Sequence, residues 1–146
     1  MPDQETIEQA REDAREGKSP STQAGEFVRE EMEHIREGKH GARSPQQAIA
    51  IGLSKARRAG VKLPPPKRGS ARTKKRAARD VRRGKSRRKP SRTRSRAVRG
   101  ALKRESPRSA SRKALSRQAR SAARRRTKAS RSRTAKKAAR TRKRKR

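Results

Sequence analysis

Residues 39–69 read KHGARSPQQAIAIGLSKARRAGVKLPPPKRG, and the middle of that run holds the best-specified helix in the chain. Ser44 stands as N-cap and Pro45 at the first helical position, where its missing N–H costs nothing. Gln47, three residues after the cap, completes a capping box. Ala48, Ile49, Ile51, Leu53 and Ala56 supply apolar surface and Gly60 ends the helix. Lys55, Arg57 and Arg58 lie in its last turns, where cations suit the helix dipole. LPPP, from Leu63 to Pro66, reads as a stiff polyproline-type spacer.

Upstream, a second helix is predicted from Thr22 or Gln23 to Glu37. Val28, Met32 and Ile35 share one face beside Phe27, and Gly38 is the stop. A first helix, Asp3 to Glu16, carries a thinner stripe of Ile7, Ala10 and Ala14 and ends at Gly17. REGKSPSTQA at Arg15–Ala24 parallels REGKHGARSPQQA at Arg36–Ala48, each with a helix end, a short loop and a Ser-Pro start. Two such junctions make a small helical hairpin array. Its few large apolar side chains give a marginal core.

Downstream the chemistry changes. Of 146 residues only 25% are apolar and 42% are charged, too little apolar surface to offset ordering entropy along the whole length. Residues 1–37 hold 11 acids against 5 bases, a balance of −6, and residues 38–66 hold 6 bases and no acid, a balance of +6. The net charge of +36 therefore lies in residues 67–146, which carry 38 bases and two acids, Asp80 and Glu105. Large apolar residues beyond Lys67 are Val81, Val98, Leu102 and Leu115, too scattered for a core. The expected fold is a small all-α head of two to three short helices, followed by a long, mostly disordered basic tail with partial helix on a polyanion at Ala71–Arg83 and Pro107–Arg126. The expected divisions are an acidic N-terminal helix or arm (1–21), a helical hairpin domain (22–62), a Pro-rich spacer (63–69) and a basic low-complexity tail (70–146).

A like-charged run of this length calls for a polyanion. Duplex DNA carries one charge per roughly 1.7 Å of axis, so 36 positive charges match about 18 base pairs, and counterion release makes binding steeply salt-dependent. Arg outnumbers Lys by 33 to 16, and the planar guanidinium forks onto phosphate better than an ammonium. Phe27 is the only Phe, Tyr or Trp in the chain, which argues against base stacking on single strands. Duplex DNA is the expected partner, with RNA as an alternative because its phosphates satisfy the same electrostatics. The residues expected to bind are Lys74, Lys75, Arg76, Arg79, Arg82, Arg83, Arg87, Arg88, Arg124, Arg125, Arg126, Arg142, Lys143, Arg144, Lys145 and Arg146, acting collectively.

Enzymatic chemistry has no support: there is no GxSxG, no phosphate-cradling glycine loop and no HExxH. Glu30, Glu33, His34, Glu37 and His40 gather near the end of the second helix, and Glu30 with His34 at i,i+4 has metal-binding spacing. The group reads as a solvated polar face, with neither a metal nor a cofactor expected. Cysteine is absent, which excludes disulfides. The acidic start has no signal-peptide core, and no stretch approaches the roughly 20 apolar residues of a membrane span, so a cytoplasmic, nucleoid-associated place is expected. A second functional reading makes the head an antitoxin-like or plasmid-maintenance interaction module. In that reading Phe27, Val28, Met32, Ile35, Ile49 and Leu53 dock a protein partner while the tail localises it.

The run EFVREEMEHIREGKHGARSPQQAIAIGLSKARRAG, Glu26–Gly60, resembles a small, uncharacterised bacterial family. Its members carry a KHG…SxxQAIAIGLSKA signature and are often labelled plasmid-stabilisation or DNA-binding proteins. The similar stretch runs from about Glu26 to Pro66, and the basic tail is also similar to what several members carry after it. The resemblance implies a nucleoid- or plasmid-associated protein with a histone-like tail. The matching Gln46, Gln47, Ala48, Ile49, Ile51, Gly52 and Leu53 read as a helix start and packing face.

Overall fold

The computed structural model describes residues 2–86 and 91–144. The order is α1 (Gln4–Arg15), α2 (Pro20–Arg36), α3 (Pro45–Arg58), α4 (Ala71–Gly84), α5 (Arg92–Lys103), a 3-10 turn (Pro107–Ala110), α6 (Arg112–Arg124) and α7 (Lys128–Arg144). Between Ser111 and Arg112 the chain divides into two compact units.

The first three helices end alike. Gly17, Gly38 and Gly60 have φ of 71°, 74° and 99°, left-handed values that cost glycine little and other residues more. Each closes a Schellman motif: Gly17 N–H donates to Ala14 O and Lys18 N–H to Asp13 O, and the same pairs recur as Gly38 to Ile35, Lys39 to His34, Gly60 to Arg57 and Val61 to Ala56. At the first end the usual apolar contact is replaced by an ion pair, Lys18 Nζ to Asp13 Oδ1 at 2.7 Å. That pair draws Asp13 inward, so α1 docks through Ile7, Ala10 and Asp13 while Ala14 stays exposed. Helix α2 starts earlier than expected, at Pro20 behind Ser19. Helix α3 starts as its sequence dictates, Ser44 Oγ accepting from Gln47 N–H at 3.2 Å while Gln47 Oε1 accepts from Arg43 N–H at 2.9 Å.

Helix α2 packs most extensively on α3, and α1 also lies on α2. The face of α3 turned inward is the small one, Ala48, Gly52 and Ala56, while Ile49, Ile51 and Leu53 are half-buried. A Cβ at Gly52 would stand 2.7 Å from Val28 Cα and 2.9 Å from Phe27 O, so the two helices touch backbone to backbone. Phe27 (1% exposed) centres the core with Ala10, Ala24 and Ala56, and Ile7, Leu53, Val61 and Leu63 pack around it. Phe27, Met32 and Ile35 are interior and offer no docking surface.

From residue 70 onward the expectation of a mostly disordered tail is wrong. Four α-helices occupy the region, and the helical body is larger than a two- or three-helix head. Composition averaged away what position reveals. Ala, Arg, Lys, Gln and Leu have among the highest helix propensities, and several of the hydroxyl residues in the run sit at helix starts. Ser70 Oγ accepts from Thr73 N–H and Thr127 Oγ1 from Ser130 N–H, both at 3.2 Å, caps worth about 1 kcal/mol each. Like charges at i,i+4 oppose this by only about 0.2–0.5 kcal/mol per pair.

Part of the basic region also docks. Helix α4 lies on α3 with Ala77 and Asp80 buried. Asp80 Oδ1 accepts from Arg58 Nε at 3.1 Å and Oδ2 from Ser54 Oγ at 2.8 Å, while Gly84 sits against the Arg57 carbonyl with no room for a side chain. Arg57, only 8% exposed, donates to the Leu63 and Pro64 carbonyls at 3.2 and 3.3 Å and ties the proline segment down. In the last turn of α5 the Leu102 carbonyl accepts from Gly41 N–H at 2.9 Å, and beyond α5 the Ala110 carbonyl accepts from Arg36 Nε at 3.1 Å.

Candidate nucleic-acid interface

Lys74, Lys75, Arg76, Arg79, Arg82 and Arg83 are exposed side chains of α4. Arg124, at the end of α6, and Arg125 and Arg126, between α6 and α7, are exposed, as are Arg142 and Lys143 in α7. Arg144 ends α7. Arg87, Arg88, Lys145 and Arg146 lie outside the described residues.

The helices also organise bases that a reading by local density passes over. Helix α4 carries Arg72, Arg76, Arg79 and Arg83; α5 carries Arg92, Arg96, Arg99 and Lys103; α6 carries Lys113, Arg117, Arg120 and Arg124; α7 carries Arg133, Lys137, Arg140 and Arg144. Every quartet has the spacing i, i+4, i+7, i+11, and successive quartets start 20, 21 and 20 residues apart. At 100° per residue the four positions fall within an arc of about 60° and span about 16 Å of helix. The first fifteen of these side chains are exposed. On α5 the stripe and the small Ser95 and Gly100 line a shallow open hollow, and Arg117, Arg120, Arg124 and Ser121 line another on α6. The signal was present in the sequence as an aligned repeat: RTKKRAARDVRR from Arg72, RTRSRAVRGALK from Arg92, KALSRQARSAAR from Lys113 and RTAKKAARTRKR from Arg133.

The two acids of residues 67–146 do not break these stripes. Asp80 is turned inward onto Arg58 and Ser54, and the backbone of Glu105 lies against Gly41.

A second concentration of charge lies inside the helical body. Glu30 and Glu31 are 4% and 0% exposed, so the expectation of a wholly solvated polar face fails at Glu30, while Glu33 and Glu37 are exposed. Lys55 Nζ lies 2.9 Å from Glu30 Oε1 and 2.8 Å from Glu31 Oε2. Burial acts to lower the Lys55 pKa, but the hydrogen bonds to Glu31 and Glu30 outweigh it and hold the pKa above the ordinary lysine value. His34 Nε2 lies 3.1 Å from Asp3 Oδ2 and His40 Nδ1 3.1 Å from Gly41 O, with the two rings edge to face at 6.2 Å. Sequence periodicity could not foresee this, because Lys55 arrives from another helix and Glu31 stood outside the group singled out.

Among the described residues no helix is long and apolar enough to cross a membrane. Residues 15–68 match the model of a family described as a family of unknown function (DUF6496). The match spans the end of α1, α2, α3 and the proline segment, and stops before α4. Its description names no activity, so the plasmid-stabilisation and DNA-binding labels implied by the resemblance draw nothing from it. No curated protein and no solved structure matches the chain.

Proposed function

We propose that this chain is a histone-like protein that binds duplex DNA without sequence preference, in association with nucleoid or plasmid, by laying the basic faces of α4 to α7 against phosphates. The observation that supports this reading most is the recurrence of one basic quartet, at one spacing, on four successive helices, with fifteen of its sixteen side chains exposed among the described residues. An α-helix of 10–12 Å diameter fits a major groove about 12 Å wide, so a stripe about 16 Å long reaches several phosphates along one wall. Adenine readout has little to work with: adenine is read by Asn or Gln, and after residue 67 Gln118 is the only amide side chain. The acids concentrated in residues 1–37 keep that end of the chain off the polyanion.

The test is fluorescence anisotropy of the full chain on duplex DNA, duplex RNA and single strands across a salt series. With all four helices engaged, log K should fall against log salt with a slope of up to about −14, and deleting residues 128–146 should flatten it by about 3 to 4. Failure to bind duplex DNA at low salt, affinity unchanged by molar salt, or preference for RNA or single strands would overturn the reading.

A further inference from the structure

The carboxylates inside the helical body are out of balance. Glu30 and Glu31 are buried there with the exposed Asp3 at their edge, and Lys55 is the one ammonium paired with the two glutamates among the described residues. Lys39 turns to Glu37 at 2.9 Å. With neutral imidazoles the group carries −2, in a chain whose net charge is +36. Glu31 is fully buried and its Oε1 has no hydrogen bond. His40 Nε2 lies 3.5 Å from Oε1. Buried carboxylate oxygens without a partner are costly and rare.

The imidazoles explain what that oxygen awaits. A carbonyl can only accept, so His40 Nδ1 carries a proton and donates to Gly41 O, and in the neutral ring Nε2 then turns its lone pair toward Glu31 Oε1. His34 repeats the pattern: Nε2–H donates to Asp3 Oδ2 at 3.1 Å, and the Nδ1 lone pair faces Glu30 Oε1 at 3.8 Å. Each ring donates its outer N–H to an oxygen and turns its free lone pair on a buried carboxylate, which is how metal-ligating histidines are held. Two ligands at 2.0–2.1 Å from a tetrahedral zinc ion stand about 3.3–3.4 Å apart, close to the 3.5 Å between Glu31 Oε1 and His40 Nε2. Glu31, His34 and His40 each place a donor atom within 4.8 Å of the others.

We propose that Glu31, His34 and His40, with Glu30 beside them, form a site for one divalent ion of the zinc class. Two imidazoles with carboxylates are a borderline nitrogen and oxygen set that suits zinc and disfavours magnesium and calcium, which take oxygens. Lys55 stays on Glu31 Oε2 and leaves Oε1 to the metal. The ion ties α2 to the loop carrying His40, and so stabilises the folded body by mass action.

The experiment uses the chelator-stripped full chain. Calorimetric titration with zinc should give one ion per chain, and a melt with excess zinc should rise by several degrees, while magnesium at equal concentration changes neither. His40→Ala and His34→Ala should each weaken zinc at least tenfold, with the exposed Glu33→Gln as a control that does not. Cobalt(II) should give the strong visible absorption of a tetrahedral site in the unaltered chain, a readout that survives even if a variant does not fold. No zinc binding, equal affinity in His40→Ala of unchanged helicity, or a weak octahedral cobalt spectrum would overturn the proposal.

Discussion

Helices α3 and α6 are nearly equal in length, 14 and 13 residues, and both are rich in Ala, Arg and Lys. Helix α3 buries Ala48, Gly52, Ala56 and Arg57 against its neighbours, whereas α6 buries none of its residues. The first is held by what it buries, while the second draws mainly on helix propensity. Isolated helices of 12–15 residues are marginal in water, so the two should respond differently to every perturbation. Helix α4 stands between these cases, since Ala77 and Asp80 dock while its arginines stay outside.

Truncating Phe27 should separate the two regimes most sharply. Phe27→Ala removes the largest fully buried side chain and should cost about 3–5 kcal/mol. Thermal melting should lose the cooperative transition of α1 to α3, while backbone amide chemical shifts of α6 and α7 in the same variant chain keep their helical values. Gly52→Ala forces a methyl to within 2.7 Å of Val28 Cα and should cost about 1–3 kcal/mol. The reverse change on α6, Ala119→Gly, should cost only about 1 kcal/mol of local helicity by circular dichroism. Asp80→Asn tests the intermediate case. Losing a buried, charge-assisted acceptor for Arg58 should cost about 1–3 kcal/mol, seen as faster amide exchange along α4 with α1 and α2 unchanged. The smallest effect belongs to Thr127→Ala, which removes a cap worth about 1 kcal/mol or less and should fray α7 alone.

How legible each element was follows the same division. Ser44, Pro45, Gln47 and Gly60 announced α3 because capping chemistry is local, and the twin REGK segments announced two Schellman ends for the same reason. Tertiary choices were harder to read. The docking face of α1 slid from Ala14 to Asp13 because Lys18 folds back to pair with it, and the center of α3 went to its small residues because only they let α2 approach. The basic half was misread because composition was weighed as a sum. Its bases are phased at i, i+4, i+7 and i+11, and a one-residue slip between the second and third units hides the register from the eye. Asp80 was legible in hindsight, since a lone acid in so basic a stretch marks the place where the chain turns inward.

Helices α6 and α7 carry their bases in step and fully bury none of their described residues, so a single in-register insertion or deletion of 20 or 21 residues adds or removes a whole unit. Each added unit brings about 16 Å more of charged helix face, so under the proposed function reach along a polyanion would grow without any change to the packing around Phe27.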